Sequence, residues 1–180
     1  EHGDRLAESD SSSLRLGVSA GEPLPPSTFD RIAERLDIEL LDGIGTTEML
    51  HIFVSHRKDD DVDPSATGYP VPGYECKVVD PDTGEEVDRG EAGLLAVRGP
   101  TGVDYWDRPD EQARALRDGW SVPGDVFVYR EDDRFEYKSR QGDLIITSGY
   151  NVPGPEVENV LQERAEVYSA AVVGSPDDER

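Results

Sequence analysis

Ile38-Glu39-Leu40-Leu41-Asp42-Gly43-Ile44-Gly45-Thr46-Thr47-Glu48 begins as a short apolar run and passes directly into two glycines one residue apart, two hydroxyls and a carboxylate. The apolar part, Ile38 to Leu41, predicts a buried strand. Upstream of it, Phe29, Ile32, Ala33 and Leu36 recur at i, i+3, i+4 and i+7, the one-sided stripe of a helix that follows Pro25-Pro26, with Ser27 placed to cap its first turn. Earlier still, Leu14, Leu16 and Val18 alternate as a strand does, before the turn-forming run Ser19-Ala20-Gly21-Glu22-Pro23. Strand, helix, strand and glycine loop in that order predict an α/β layer. The loop itself has two readings. Its glycines would let the backbone pass close to a flat or anionic ligand, with Thr46, Thr47 and Glu48 meeting phosphate and metal; equally, Thr47 would cap a helix starting near Glu48.

Downstream, from about Thr67, the pattern changes to strands with tight turns: Tyr74 to Val79, the turn Pro81-Asp82-Thr83-Gly84, then Gly93 to Arg98. A helix is expected over 110–117, then a hairpin pairing Val126–Tyr129 with Phe135–Lys138. Past a boundary near Gly142, Leu144-Ile145-Ile146 is a short apolar stretch, Pro155 opens a helix bearing Val157, Val160 and Leu161, and Val167 to Val173 predicts a final strand. Both ends of the chain, Glu1 and Arg180, read as cuts through a longer polypeptide.

The charge balance narrows the partners. Forty acidic against 18 basic side chains give a net charge of -22, and only Lys58, Lys77 and Lys138 are lysines. Such a surface repels nucleic acid and anionic membranes. Recurring apolar segments between Gly and Pro argue against disorder. The composition instead predicts a protein from a salt-accumulating cell, where counterions screen self-repulsion over about 3 Å at 1 M salt. The melting temperature should therefore rise as KCl goes from dilute to molar; a salt-independent value would remove this reading. A single cysteine, Cys76, excludes a disulfide framework, favours a buried thiol and fits a reducing cytoplasm. No apolar run reaches the ~18 residues of a membrane span.

Two further segments have side chains able to bind. The carboxylate of Gly124-Asp125 could accept both hydroxyls of a ribose, or only bond its own turn. In Ser139-Arg140-Gln141-Gly142-Asp143, Arg140 could hold a ligand or pair with a neighbouring carboxylate.

Taken in order, Ser19 to Leu24, the run Asp42 to Phe53, Gly99-Pro100-Thr101-Gly102 with Tyr105-Trp106, Gly124-Asp125, Ser139-Arg140, and Ser148-Gly149-Tyr150-Asn151-Val152 with Gly154 to Glu158 resemble the adenylate-forming enzymes. The phrases ending in His51 and Glu158 look most like 2-aminobenzoate- and benzoate-CoA ligases. The resemblance implies an internal piece of an acyl-CoA synthetase: residues 1–142 the second half of the large amino-terminal domain, with a small β-barrel subdomain over about 68–142, and residues 143–180 the start of the mobile α+β carboxy-terminal domain. It implies that ATP and an aromatic carboxylate form an acyl-adenylate and pyrophosphate, after which coenzyme A displaces AMP.

By the same resemblance Gly21, Glu22 and Pro23 lie near adenine, and Asp42, Gly43, Ile44 and Gly45 flank it. Thr46 and Thr47 meet phosphate, Glu48 positions Mg2+, and Asp125 takes the ribose hydroxyls with help from Arg140. Gly149 lets the pantetheine of coenzyme A approach, and Ile44, Gly45 and His51 line an aryl pocket; for His51 a structural role is an equal alternative. The sequence departs from the family at the hinge, where Gly142 replaces the usual Asp or Lys, and at Gly93-Leu94, where Gly-Glu is usual. The phosphate loop expected upstream and the lysine expected downstream are absent from the 180 residues, so the chain alone is expected to be inactive. A domain that loads a carrier protein, or a non-catalytic nucleotide-binding remnant, are the competing readings.

Overall fold

A computed structural model describes residues 10–58, 60–147, 150–164 and 166–175. The first layer has the predicted order of strand, helix and strand, although Leu14 lies outside the first strand and Ser19 and Ala20 extend it instead of opening the turn. Strand β1 (Leu16–Ala20) leads through helix α1 (Pro26–Leu36) to β2 (Glu39–Gly45), which lies parallel to β1 with Ser19 beside Asp42 and Ala20 beside Gly43. This parallel pairing is what a helical crossover permits. Strands β3 (Ile52–Ser55) and β4 (Tyr69–Pro70) extend the sheet antiparallel, in the order β1-β2-β3-β4. Pro26 opens α1 with a fixed φ suited to a first turn; Ser27 lies inside the helix and makes no capping bond, contrary to expectation. The helix buries Phe29 and ends at Asp37, whose left-handed backbone donates to Ala33 O.

The glycine segment differs from its sequence reading. Asp42 to Gly45 continue β2 rather than forming a loop, and no helix begins at Glu48: residues 46–50 form a turn. A Cβ on Gly43 would stand 2.9 Å from Val54 O, and one on Gly45 would stand 2.6 Å from His51 O. The glycines are therefore needed for close approach of β3, whatever else they face.

The second layer is antiparallel throughout. Strands β5 (Glu75–Val79), β6 (Ala92–Arg98), β7 (Leu116–Arg117), β8 (Trp120–Ser121), β9 (Asp125–Tyr129) and β10 (Phe135–Arg140) form one sheet in the order β10-β9-β6-β8-β7, with β5 on β6. Helix α2 (Pro109–Ala115) is shorter than predicted, because Leu116 and Arg117 turn into β7. Met49, Phe53, Val54, Tyr74, Val78, Leu95, Val97, Phe127 and Phe135 make one core that joins both sheets. The Cys76 thiol is half-buried against it, and burial pushes its pKa to about 12.

The two sheets are stitched at Gly68. Its carbonyl accepts from Phe135 N–H at 2.7 Å, and Thr67 N–H donates to Phe135 O at 2.8 Å. Beside this seam Asp63 pairs with Arg130 at 3.0 Å and with Arg134 at 3.4 Å, tying the loop before β4 to the β9–β10 turn.

Past Gly142, β11 (Leu144–Thr147) and β12 (Tyr150–Pro153) form a hairpin that leads into α3 (Gly154–Gln162), with Pro155 in its first turn. Val160 and Leu161 on α3 are exposed. The predicted strand over Val167–Val173 is absent from the described residues; Val172 N–H instead donates to the Glu158 carboxylate at 2.8 Å. A strand needs a neighbour to complete its ladder, and none of the described residues pairs with this segment as one. Ser148 and Gly149 fall outside the described residues. No helix among those described is long and apolar enough to cross a membrane.

Candidate functional site

The sheet ends converge on a cleft of about 710 Å³. Gly21, Glu22 and Pro23 reach it because the Ala20–Gly43 pairing sets the end of β1 beside β2. Asp42, Gly43, Ile44, Gly45, Thr46, Thr47 and Glu48 line it from β2 and the following turn. Asp125 and Arg140 line it from β9 and β10, and Pro155, Glu156 and Asn159 of α3 close a further side.

A β-bulge makes the Asp125–Arg140 pair. Tyr137 stands opposite Phe127, but Ser139 stands opposite Val126, so the strand takes an extra residue and Arg140 comes to face Asp125. The Arg140 Nε lies 3.4 Å from Asp125 Oδ1, and its Nη2 donates to Pro123 O at 3.1 Å. Burial raises the Asp125 pKa, Arg140 opposes that, and the charge of Glu48 adds to it. The Asp125 side chain is 8% exposed and that of Arg140 59%, so the pair is one buried acceptor under an exposed cation.

Glu48 behaves differently. Burial alone would raise its pKa, yet the Tyr105 hydroxyl, the Glu48 backbone N–H and the Thr46 hydroxyl outweigh that, with the charge of Arg140 acting in the same direction, and the carboxyl lies below its usual range. An ionised carboxylate at the cleft is a hard oxygen ligand, fit for a cation shared with phosphates and water. Among the described residues no group of three His, Cys, Asp or Glu side chains could hold a metal by itself.

Asp42 is the third perturbed acid at the cleft. Burial raises it to about 6 against bonds from Gly43 N–H and the Ser19 hydroxyl, and its Oδ1 has no partner. A raised folded-state pKa stabilises the protein fully below the unfolded value near 3.8, and that contribution is lost as pH rises through about 6. Asp42→Asn should therefore melt higher than wild type at pH 8, with the advantage vanishing by pH 4; a difference that does not vary with pH would contradict this assignment.

Two predicted residues lie apart from the cleft, and a third is not among the described residues. His51 does not line it: its Nδ1 lies 2.6 Å from Ile52 O and its Nε2 2.9 Å from the Tyr74 hydroxyl, the rings meeting edge to face. Gly142 sits exposed in the turn between β10 and β11, and Gly149 is outside the described residues. Conversely, Glu136, Tyr137 and Lys138 line the cleft unpredicted; their strand was expected, but the bulge that directs it leaves no mark in the residue pattern.

Known proteins share this fold. Residues 1–104 match the family model described as AMP-binding enzyme. A benzoate–CoA ligase of Thauera aromatica is 40% identical over 167 residues, covering 92% of this chain and 32% of that protein. A long-chain-fatty-acid–CoA ligase of Salmonella typhimurium is 38% identical over 168 residues, covering 93% and 30%. The crystal structure of the anthranilate CoA ligase AuaEII in complex with anthranoyl-AMP superposes with a TM-score of 0.90 at 35% identity, covering 99% of this chain and 36% of that one. The chain thus spans about a third of the length of the relatives it matches. With more than half of its residues inside the family model, the chain belongs to the AMP-binding enzyme family.

Proposed function

We propose that the chain is the nucleotide-binding part of an ATP-dependent aryl-CoA ligase. The observation that supports this most is the meeting of Gly21–Pro23, Asp42–Glu48, Asp125 and Arg140 around one cleft despite their separation in sequence. In this reading the adenine lies between the Gly21–Pro23 turn and the Asp42–Gly45 backbone, and Thr46 and Thr47 meet phosphate. The buried Asp125 accepts the ribose hydroxyls, while exposed Arg140 moves between Asp125 and the ligand. Glu48 helps to hold Mg2+, which would supply charge neutralisation at the phosphates. The chain's own contribution to the first step is placement and fixed electrostatics around the α-phosphate.

The domain reading is part of the proposal: residues 1–142 complete the large domain and residues 143–180 begin a mobile one. Gly142 is its pivot, where a Cβ would meet nothing within 4 Å. Coenzyme A enters past Gly149 after rotation, and Ile44 and Gly45, with His51 beyond the cleft, belong to an aryl pocket completed by chain outside these residues. The upstream phosphate loop and downstream lysine are supplied from there as well.

The test is coenzyme A-dependent AMP formation by the full-length protein with benzoate, 2-aminobenzoate, hydroxybenzoates and fatty acids. Benzoate or 2-aminobenzoate should react fastest, and the 180-residue chain alone should give no AMP. Turnover confined to aliphatic acids, the reading favoured by the Salmonella relative, would overturn the aryl assignment and leave the nucleotide chemistry standing.

A further inference from the structure

Glu48 approaches the cleft from a turn, so no helix or strand fixes its side chain. Beside its own backbone N–H and the Thr46 hydroxyl, one group that holds it comes from 57 residues away: the Tyr105 hydroxyl donates to Glu48 Oε1. Tyr105 lies in the segment between β6 and α2, and its backbone N–H donates to Gln112 Oε1 on α2 at 2.8 Å. The same segment grips the turn a second time, where the Thr101 hydroxyl donates to Met49 O at 2.8 Å. Glu48, Thr101, Tyr105 and Gln112 together border a second cavity of about 300 Å³, and Glu48 alone of the four also lines the cleft. Glu48 thus borders both, with its Oε1 bonded to Tyr105.

We propose that Tyr105 is a positioning residue for the cation of the nucleotide site: by engaging one oxygen of Glu48 it orients the carboxylate so that the other is presented to the metal that accompanies ATP. The proposal rests on the reading of Glu48 as a metal-positioning acid. A carboxylate ligand is oriented by the groups bonded to it, and losing such a group typically costs 10- to 100-fold in metal affinity. Thr101 fastens the same turn through the backbone and leaves the carboxylate untouched, which makes it the structural control.

The test uses the full-length protein and calorimetric titration of ATP at graded Mg2+, with Tyr105→Phe, Glu48→Gln, the double variant and Thr101→Val, each checked by melting. Tyr105→Phe should raise the Mg2+ concentration for half-maximal ATP binding by about tenfold and leave Mg2+-free binding unchanged. Glu48→Gln should shift it at least as far, the double variant should match Glu48→Gln, and Thr101→Val should leave it at the wild-type value. Three results would overturn the proposal while leaving Glu48 in its role: no Mg2+ shift in Tyr105→Phe beside a clear one in Glu48→Gln, an equal further loss when Tyr105→Phe is added to Glu48→Gln, or the same shift from Thr101→Val. No shift in Glu48→Gln would remove the reading of Glu48 itself, and the proposal with it.

Discussion

Asp125→Ala in the full-length protein should weaken ATP binding roughly ten- to a hundredfold while leaving the fold intact. Asp125 is buried, and its carboxylate is ion-paired with Arg140 in the free protein. With ATP bound, it would accept hydrogen bonds from ribose hydroxyls; such bonds to a charged group contribute about 1.5–3 kcal/mol, which is that range of affinity. Stability should hardly change. The Arg140 side chain is 59% exposed, so losing its pair costs at most about 1 kcal/mol, and removal of a buried acid whose pKa burial has raised relieves a strain. Calorimetry with ATP and with 2′-deoxy-ATP separates the causes: wild type should discriminate between them and Asp125→Ala should not. Unchanged ATP affinity in the variant would remove Asp125 from the site.

The largest expected loss of stability is at Gly68. Its φ of +111° suits glycine, and a Cβ there would stand 2.5 Å from Ser55 C, Ser55 O and His56 N. These are backbone atoms of the strand end that faces the seam between the two sheets, so they cannot swing aside as a side chain would. Gly68→Ala should cost about 3 kcal/mol or more, from backbone strain of about 1–3 kcal/mol plus the clash. A chain of this size should then melt some 6–12 °C lower. Gly73 is the control. Its φ is +97°, but a Cβ would meet nothing within 4 Å, so Gly73→Ala should show the strain alone. Equal losses at the two positions would show that the close approach at Gly68 contributes nothing.

The parts of this fold legible in the sequence are those fixed by local periodicity. The Phe29–Leu36 stripe and the alternation before Ser19 are enough to predict a strand–helix–strand unit of an α/β layer, and the turn at Pro81–Gly84 marks the β5–β6 hairpin. Candidate site residues were legible where a glycine, hydroxyl or acid closes such an element, as at Gly21 and from Asp42 to Glu48. What was not legible depends on chain far away. Gly43 and Gly45 read as a ligand loop because nothing in their own segment announces that β3 will pass within 3 Å of where their side chains would stand. The facing of Arg140 and Asp125 depends on a bulge set by pairing with β9. Tyr105 stood out only within a segment that carries the resemblance and with no role attached, since only the fold brings it to Glu48. Val167 to Val173 has the composition of a strand, and none of the described residues pairs with it as one.

The claim on which the functional account depends is that one cleft takes the nucleotide, and a crystal structure of the full-length protein with ATP tests it most directly. Adenine should lie between Gly21–Pro23 and Asp42–Gly45, with the ribose hydroxyls on Asp125. Nucleotide bound elsewhere, with Asp125 still facing only Arg140, would contradict it.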